Sequence, residues 1–278
     1  MPSPISWYRS PRLWLDLFAL ANLGCLAPDI YLAHSTNSFR HAAEWVPLAF
    51  SLAAPWLLLA GLIMSRGRAE SLAWKLSGRL VGWTALAVGI TGLLLHLDGE
   101  FFRERTLDSL VYTAPFAAPL AYAGIGLLLI MNRMVAEADP EWPRWVTLLA
   151  LGGWIGNFIF SLADHAQNGF FHPEEWIAVA ASALAIGFLA VPFAMRVERV
   201  FLGWTVAVML VEMVVGLVGF YLHSEANLDG PSSSLFDNFV YGAPAMAPLL
   251  FPNLALLTLL GLWVWSRQGI EQKRKGVS

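Results

Sequence analysis

Cysteine and charge are what this sequence has least of. One cysteine, Cys25, stands in 278 residues. That excludes an intramolecular disulfide framework and any metal site built from clustered thiolates. Charged residues make up 13% of the chain and hydrophobic residues 57%, with mean hydropathy +0.59 and a formal net charge of −3. A soluble domain carries charge at roughly a quarter of its positions, so there is too little polar material here to wet a globular surface. Basic tracts are also missing. The one cationic run, Lys273–Arg274–Lys275, follows the last apolar segment, which leaves no electrostatic footprint for nucleic acid. No His-Glu-x2-His, Gly-x-Ser-x-Gly or phosphate-cradling glycine loop occurs. The composition is that of an integral membrane protein, partnered by the lipid bilayer.

What the chain does have is apolar runs. A helix needs about 20 apolar residues to cross the hydrocarbon layer, and eight segments qualify: 13–33, 46–65, 80–96, 111–132, 145–163, 176–195, 200–222 and 240–266. The expected fold is all-α, a polytopic bundle of eight transmembrane helices with short connections. Leu23-Gly24-Cys25 is an imperfect lipoprotein-type cleavage motif, with Asn22 where an aliphatic residue belongs, so the first segment is expected to stay as a helix. Lys and Arg set orientation. Fourteen of the 17 fall at the termini and in the even-numbered loops, and only Arg40, Arg103 and Arg105 fall in the odd ones. Both termini are expected in the cytoplasm, in a bacterial inner membrane.

The other polar residues gather on the opposite side. All six histidines (His34, His41, His96, His165, His172 and His223) and twelve of the 20 acids sit at the outer helix ends. Any chemistry is expected to face the periplasm or exterior.

An internal duplication organises these residues. His34-x6-His41-x2-Glu44-Trp45 recurs as His165-x6-His172-x2-Glu175-Trp176, an offset of 131 that also relates Asn37 to Asn168 and Phe39 to Phe170. Asp108-x2-Val111-Tyr112-x-Ala114-Pro115-x2-Ala118-Pro119 recurs as Asp237-x2-Val240-Tyr241-x-Ala243-Pro244-x2-Ala247-Pro248, an offset of 129. His96-x-Asp98 matches His223-x-Glu225. Two four-helix repeats are expected, 12–136 and 143–268. Each contains an even number of spans, so they form a parallel rather than an inverted pair.

In each half the first helix ends in His and the second begins with His-x2-Glu. The third ends in His and the fourth begins with Asp-x3-Tyr. These spacings put His41 with Glu44, and Asp108 with Tyr112, on common helix faces. Convergence of the ends gathers His34, His41, Glu44, His96 and Asp108 as metal ligands in one half, and His165, His172, Glu175, His223 and Asp237 in the other. Imidazole plus carboxylate without thiolate suits Zn, Fe, Mn or Cu(II), and such a set with one position open can hold a catalytic ion. The pattern predicts a membrane-embedded metalloprotein, an oxidoreductase or hydrolase, with Tyr112, Tyr241 and the mid-span Glu212 as catalytic groups. A single dinuclear centre shared by the halves is the weaker arrangement.

Other readings of the same residues stand beside it. A cation or proton-coupled transporter would capture its ion at the histidines and use Glu212 for coupling. A subunit of a larger membrane complex would use the histidines as axial ligands for haem or a pigment. Structurally, Asp108 and Asp237 suit helix caps, and Trp45, Trp176, Tyr112 and Tyr241 suit the interfacial belt. The Ala-Pro pairs predict helix kinks that open carbonyls. Asp16, one turn from Arg12, predicts an i,i+4 ion pair.

Overall fold

The computed structural model describes residues 10–65 and 71–274, with only the backbone for 268–274. Arg9, Arg66, Arg68 and Lys275, used above for orientation, lie outside the described residues. Within them the chain is helical, with no strand: α1 Pro11–Ser35, α2 Trp45–Ser65, α3 Leu72–Gly99, α4 Phe101–Glu104, α5 Leu107–Tyr112, α6 Leu120–Met134, α7 Glu141–Gln167, α8 Glu175–Ala194, α9 Arg199–Leu228, α10 Leu235–Tyr241 and α11 Leu250–Arg274. Seven are long and apolar enough to cross a bilayer: α1, α2 with the 3₁₀ turn before it, α3, α7, α8, α9 and α11. Start signals are local. Ser10 accepts the Leu13 N–H ahead of Pro11, and Ser71 accepts the Trp74 N–H at the start of α3.

The segments expected at 111–132 and 240–266 are not continuous helices. The first is α5, a break over 113–119, then α6; the second is α10, a break over 242–246, a 3₁₀ turn Ala247–Leu249, then α11. Paired prolines cause this. Each lacks an N–H and disfavours helix in the residue before it, so two prolines four residues apart end the helix instead of kinking it. As a result α6 has only 15 residues. That is about 22 Å at 1.5 Å per residue, against a hydrocarbon core of about 30 Å.

The long helices pack as two closed rings. α1, α2, α3 and α6 form the first, and α7, α8, α9 and α11 the second; α6 lies against α7 and α1 against α11 where the rings meet. Small residues set the closest approaches. A Cβ at Gly89 of α3 would fall 2.5 Å from the Ala123 backbone nitrogen of α6, and one at Gly216 of α9 would fall 2.7 Å from the Pro248 carbonyl oxygen. Lipid tails are as apolar as leucine, so this close van der Waals contact, rather than hydrophobic burial, holds such helices together.

A buried polar cluster locks the first ring to the second at the end away from the histidines. Asp16 of α1 is fully buried and pairs with Arg133 of α6, not with its helix neighbour Arg12 as the spacing suggested. Trp74 Nε1 of α3 donates to Asp16 Oδ2, and Asn132 Nδ2 donates to Oδ1. Trp142 Nε1 of α7 in turn donates to Asn132 Oδ1. The Arg133 guanidinium lies 3.8 Å from the Trp74 ring centre and donates from Nε to the Trp74 carbonyl. Arg12 Nη2 donates to the Val135 carbonyl at 2.6 Å, closing the cluster over the end of α6. Tertiary geometry overrode the i,i+4 spacing because the pair across helices is desolvated and bonded on several sides.

Arg133→Met, which strands a buried carboxylate, is expected to cost about 3–5 kcal/mol. Adding Asp16→Leu should recover much of the loss. Denaturant-induced unfolding in detergent reads both.

Candidate functional site

Each half brings two histidines and one glutamate together at the same end. In the first ring His34, in the last turn of α1, faces His96, in the last turns of α3; their ring centres are 6.2 Å apart and nearly perpendicular. In the second ring His165 of α7 faces His223 of α9 at 6.3 Å, with the planes at 89°. Glu44, at the entry to α2, brings Oε2 to 4.0 Å from His34 Nδ1. Glu175, at the start of α8, brings Oε2 to 3.4 Å from His165 Nδ1. Both pairs lie at one end of the molecule, where Gln167 Nε2 donates to the Val111 carbonyl at 2.7 Å and Tyr31 meets Phe236 across the rings.

The proline breaks orient the second histidine of each pair. His96 Nδ1 lies 3.0 Å from the Pro115 carbonyl oxygen, and His223 Nδ1 lies 3.0 Å from that of Pro244. A carbonyl only accepts, so Nδ1 carries the hydrogen and Nε2 presents its lone pair. No hydrogen bond to an Nε2 atom of the four imidazoles occurs among the described residues. Metal-binding histidines are commonly fixed this way, through the nitrogen that does not bind.

The turn after the first helix positions each glutamate. Asn37 Oδ1 accepts the Phe39 N–H, and Asn168 Oδ1 accepts the Phe170 N–H. Phe39 and Phe170 stand at φ 52° and 54°, a conformation uncommon outside glycine and asparagine. Each ring is then stacked on a tryptophan: Phe39 on Trp45 at 4.3 Å and Phe170 on Trp176 at 3.9 Å. Asn37 Nδ2 also donates to Glu44 Oε1 at 2.8 Å. That leaves Glu44 Oε2 and Glu175 Oε2 buried with no hydrogen-bond partner, each beside an imidazole. A buried carboxylate oxygen left in that state costs free energy.

The other predicted ligands sit off these pairs. His41 and His172 are exposed in the turns leading to Glu44 and Glu175. Asp108 and Asp237 lie in the first turns of α5 and α10, where the caps are Thr106 and Ser234. Tyr112 and Tyr241 are 61% and 69% exposed at the ends of those short helices. Among the described residues, no three His, Cys, Asp or Glu side chains form a group that could hold a metal ion as it stands. Pairs of imidazoles are what converge. Glu212 stands apart, fully buried in α9, with neither carboxylate oxygen hydrogen-bonded.

Sequence reasoning missed three participants. The Pro115 and Pro244 carbonyls carry no side-chain signal. Asp164, next to His165, acts electrostatically on His165, His223 and Glu175 together, but it has no counterpart in the first half and so fell outside the repeat. It also lines a small groove between α7 and the 113–119 break, with Phe160, Gln167 and Phe116.

No family model, curated protein or solved structure matches this chain.

Replacing Asn168 with Ala removes the acceptor that holds the strained turn. It is expected to lower stability by about 1 kcal/mol, as loss of a cap does, read as a shift in thermal unfolding; Asn168→Asp, which keeps the acceptor, should retain most of it.

Proposed function

We propose that the protein is a membrane-embedded metalloprotein with one transition-metal centre in each half, taken between the facing imidazoles. The observation that carries this is the repeated pair: His34 with His96, and His165 with His223, at 6.2 and 6.3 Å. Two imidazoles bound to one metal through bonds of about 2.0 Å have ring centres at most about 6 Å apart. At that separation the two imidazoles of a pair would be able to hold one metal between them. The first-choice ions are Zn, Fe, Mn or Cu(II), which suit nitrogen and oxygen donors.

Two forms of the metal share this chemistry. If the metal were a bare ion, the unpartnered Oε2 of Glu44 or Glu175 would add a carboxylate to the two imidazoles. If the iron were that of a haem, the facing imidazoles would hold it, and Glu44 and Glu175 would stay beside Nδ1 of His34 and His165. In either form the metal supplies Lewis-acid or redox chemistry to a substrate arriving from the histidine-bearing end. The setting we propose is a bacterial inner membrane, spanned eight times by two tandem parallel repeats, 12–136 and 143–268. Both termini lie in the cytoplasm and the centres face the periplasm.

Elemental analysis and an absorption spectrum of the purified full-length protein test this. Two metal equivalents are expected per chain, one lost in His34→Ala, one in His165→Ala and both in the double variant. A Soret band identifies haem, and its absence with metal retained identifies the bare ion. A colourless, metal-free protein that binds neither added Fe, Zn, Mn or Cu nor haem overturns the proposal.

A further inference from the structure

Below the imidazole pairs the two halves stop resembling each other. One face of α7 runs inward from the His165 end through Asp164, Ser161 and Asn157, at spacings of three and four residues that keep them in line. The corresponding residues of α1, at the offset of 131, are Ala33, Ile30 and Leu26. On α9, Glu212 lies three turns inward from His223, about 16 Å along the helix, within a buried face that includes Met209 and Gly216. At the offset of 127 that relates His96 to His223, α3 has Ala85 there, fully buried. Polar groups thus descend into the second ring at four positions where the first ring has Ala33, Ile30, Leu26 and Ala85; its own inner polar groups, Asp29, Ser51 and Tyr122, lie elsewhere.

These groups are not paired off. Asn157 is 3% exposed and donates from Nδ2 to Ser182 Oγ at 3.1 Å, but its Oδ1 has no partner. Glu212 is fully buried and neither of its oxygens has a hydrogen bond. On α8 and α11, which pack along α9, charged residues occur only at the ends, at Glu175 and from Arg267 onward. No base is at hand to neutralise the carboxylate. An unpaired charge in that position is expensive, and ionisable side chains inside spans usually serve ion or proton traffic. Level with Glu212 and beyond it the interior is filled by Trp154, Met209 and Leu189, all fully buried and packed as one cluster.

We propose that the second ring is a proton file: protons pass from the histidine-bearing end along Ser161 and Asn157 of α7 and across the ring interior to Glu212 of α9, which stores one inside the membrane. The proton comes from the aqueous phase at that end, forms an O–H bond with a Glu212 carboxylate oxygen, and leaves by the same route because the packed apolar cluster fills the other side. No electron moves, and the file does not depend on the nature of the metal centres.

Infrared spectroscopy of the full-length protein in lipid tests it. At neutral pH the wild type is expected to show the C=O stretch of one protonated carboxyl that Glu212→Gln lacks. Transfer to D2O shifts that band at the rate at which protons reach Glu212. Asn157→Leu with Ser161→Ile, which installs the first half's residues, should keep the band and slow its shift by roughly tenfold or more, since hydrogen-bonding steps have been deleted. Retention of the band reports folding; if the double variant does not fold, Ser161→Ala gives the same reading. Leu26→Asn in the first half should change nothing. The proposal falls if Glu212→Gln removes no such band, if the band responds to Na+ instead of to proton exchange, or if the substitutions in α7 leave the exchange rate unchanged.

Discussion

Polar groups removed from water must find partners, and in a chain with so few of them each pairing decides part of the architecture. The Asp16 carboxylate is the clearest case. It sits fully buried among Arg133, Trp74 and Asn132, and through Asn132 the cluster reaches Trp142 at the start of the second ring. Four helices are thereby indexed against one another: α1, α3, α6 and α7. Three of these, α1, α3 and α7, carry His34, His96 and His165 at the opposite end, so the cluster fixes the register of three of the four imidazoles. The reciprocal amide pair between Asn22 and Asn253 adds a second fixed point where α1 crosses α11.

The same requirement explains why the broken helices are useful. Prolines at 115, 119, 244 and 248 deprive carbonyls of helical partners. At the histidine-bearing end two of those carbonyls accept from His96 and His223. A feature that weakens a helix becomes the device that sets an imidazole's tautomer and direction. Glu212 shows what happens when no partner is supplied: a fully buried carboxyl with both oxygens open.

Much of this was legible in the chain. Length and hydropathy located the seven helices long and apolar enough to span, and the duplicated His, Glu, Asn and Phe positions marked the turns that carry Glu44 and Glu175. Three things were not legible. The proline pairs do not say whether a helix kinks or ends; that depends on whether neighbours occupy the freed space, as α3 does against Pro119. His41 and His172 share the spacing of a ligand, but the turn before Glu44 and Glu175 leaves them exposed, an outcome of backbone geometry at Phe39 and Phe170. Asp16 was assigned to its near neighbour Arg12, because sequence spacing weighs local pairs and cannot weigh Arg133, more than a hundred residues away.

The shortness of α6 has a consequence for how the molecule is made. Fifteen residues ending in Asn132-Arg133-Met134 give the lipid little to hold. Yet α6 is the most enclosed of the helices, packed against α1, α3 and α7. During synthesis α1, α2 and α3 can each settle in the bilayer on their own hydropathy, whereas α6 gains its place only when protein surrounds it. Its packing on α1 and α3 closes the first ring, and α7 then covers its remaining face.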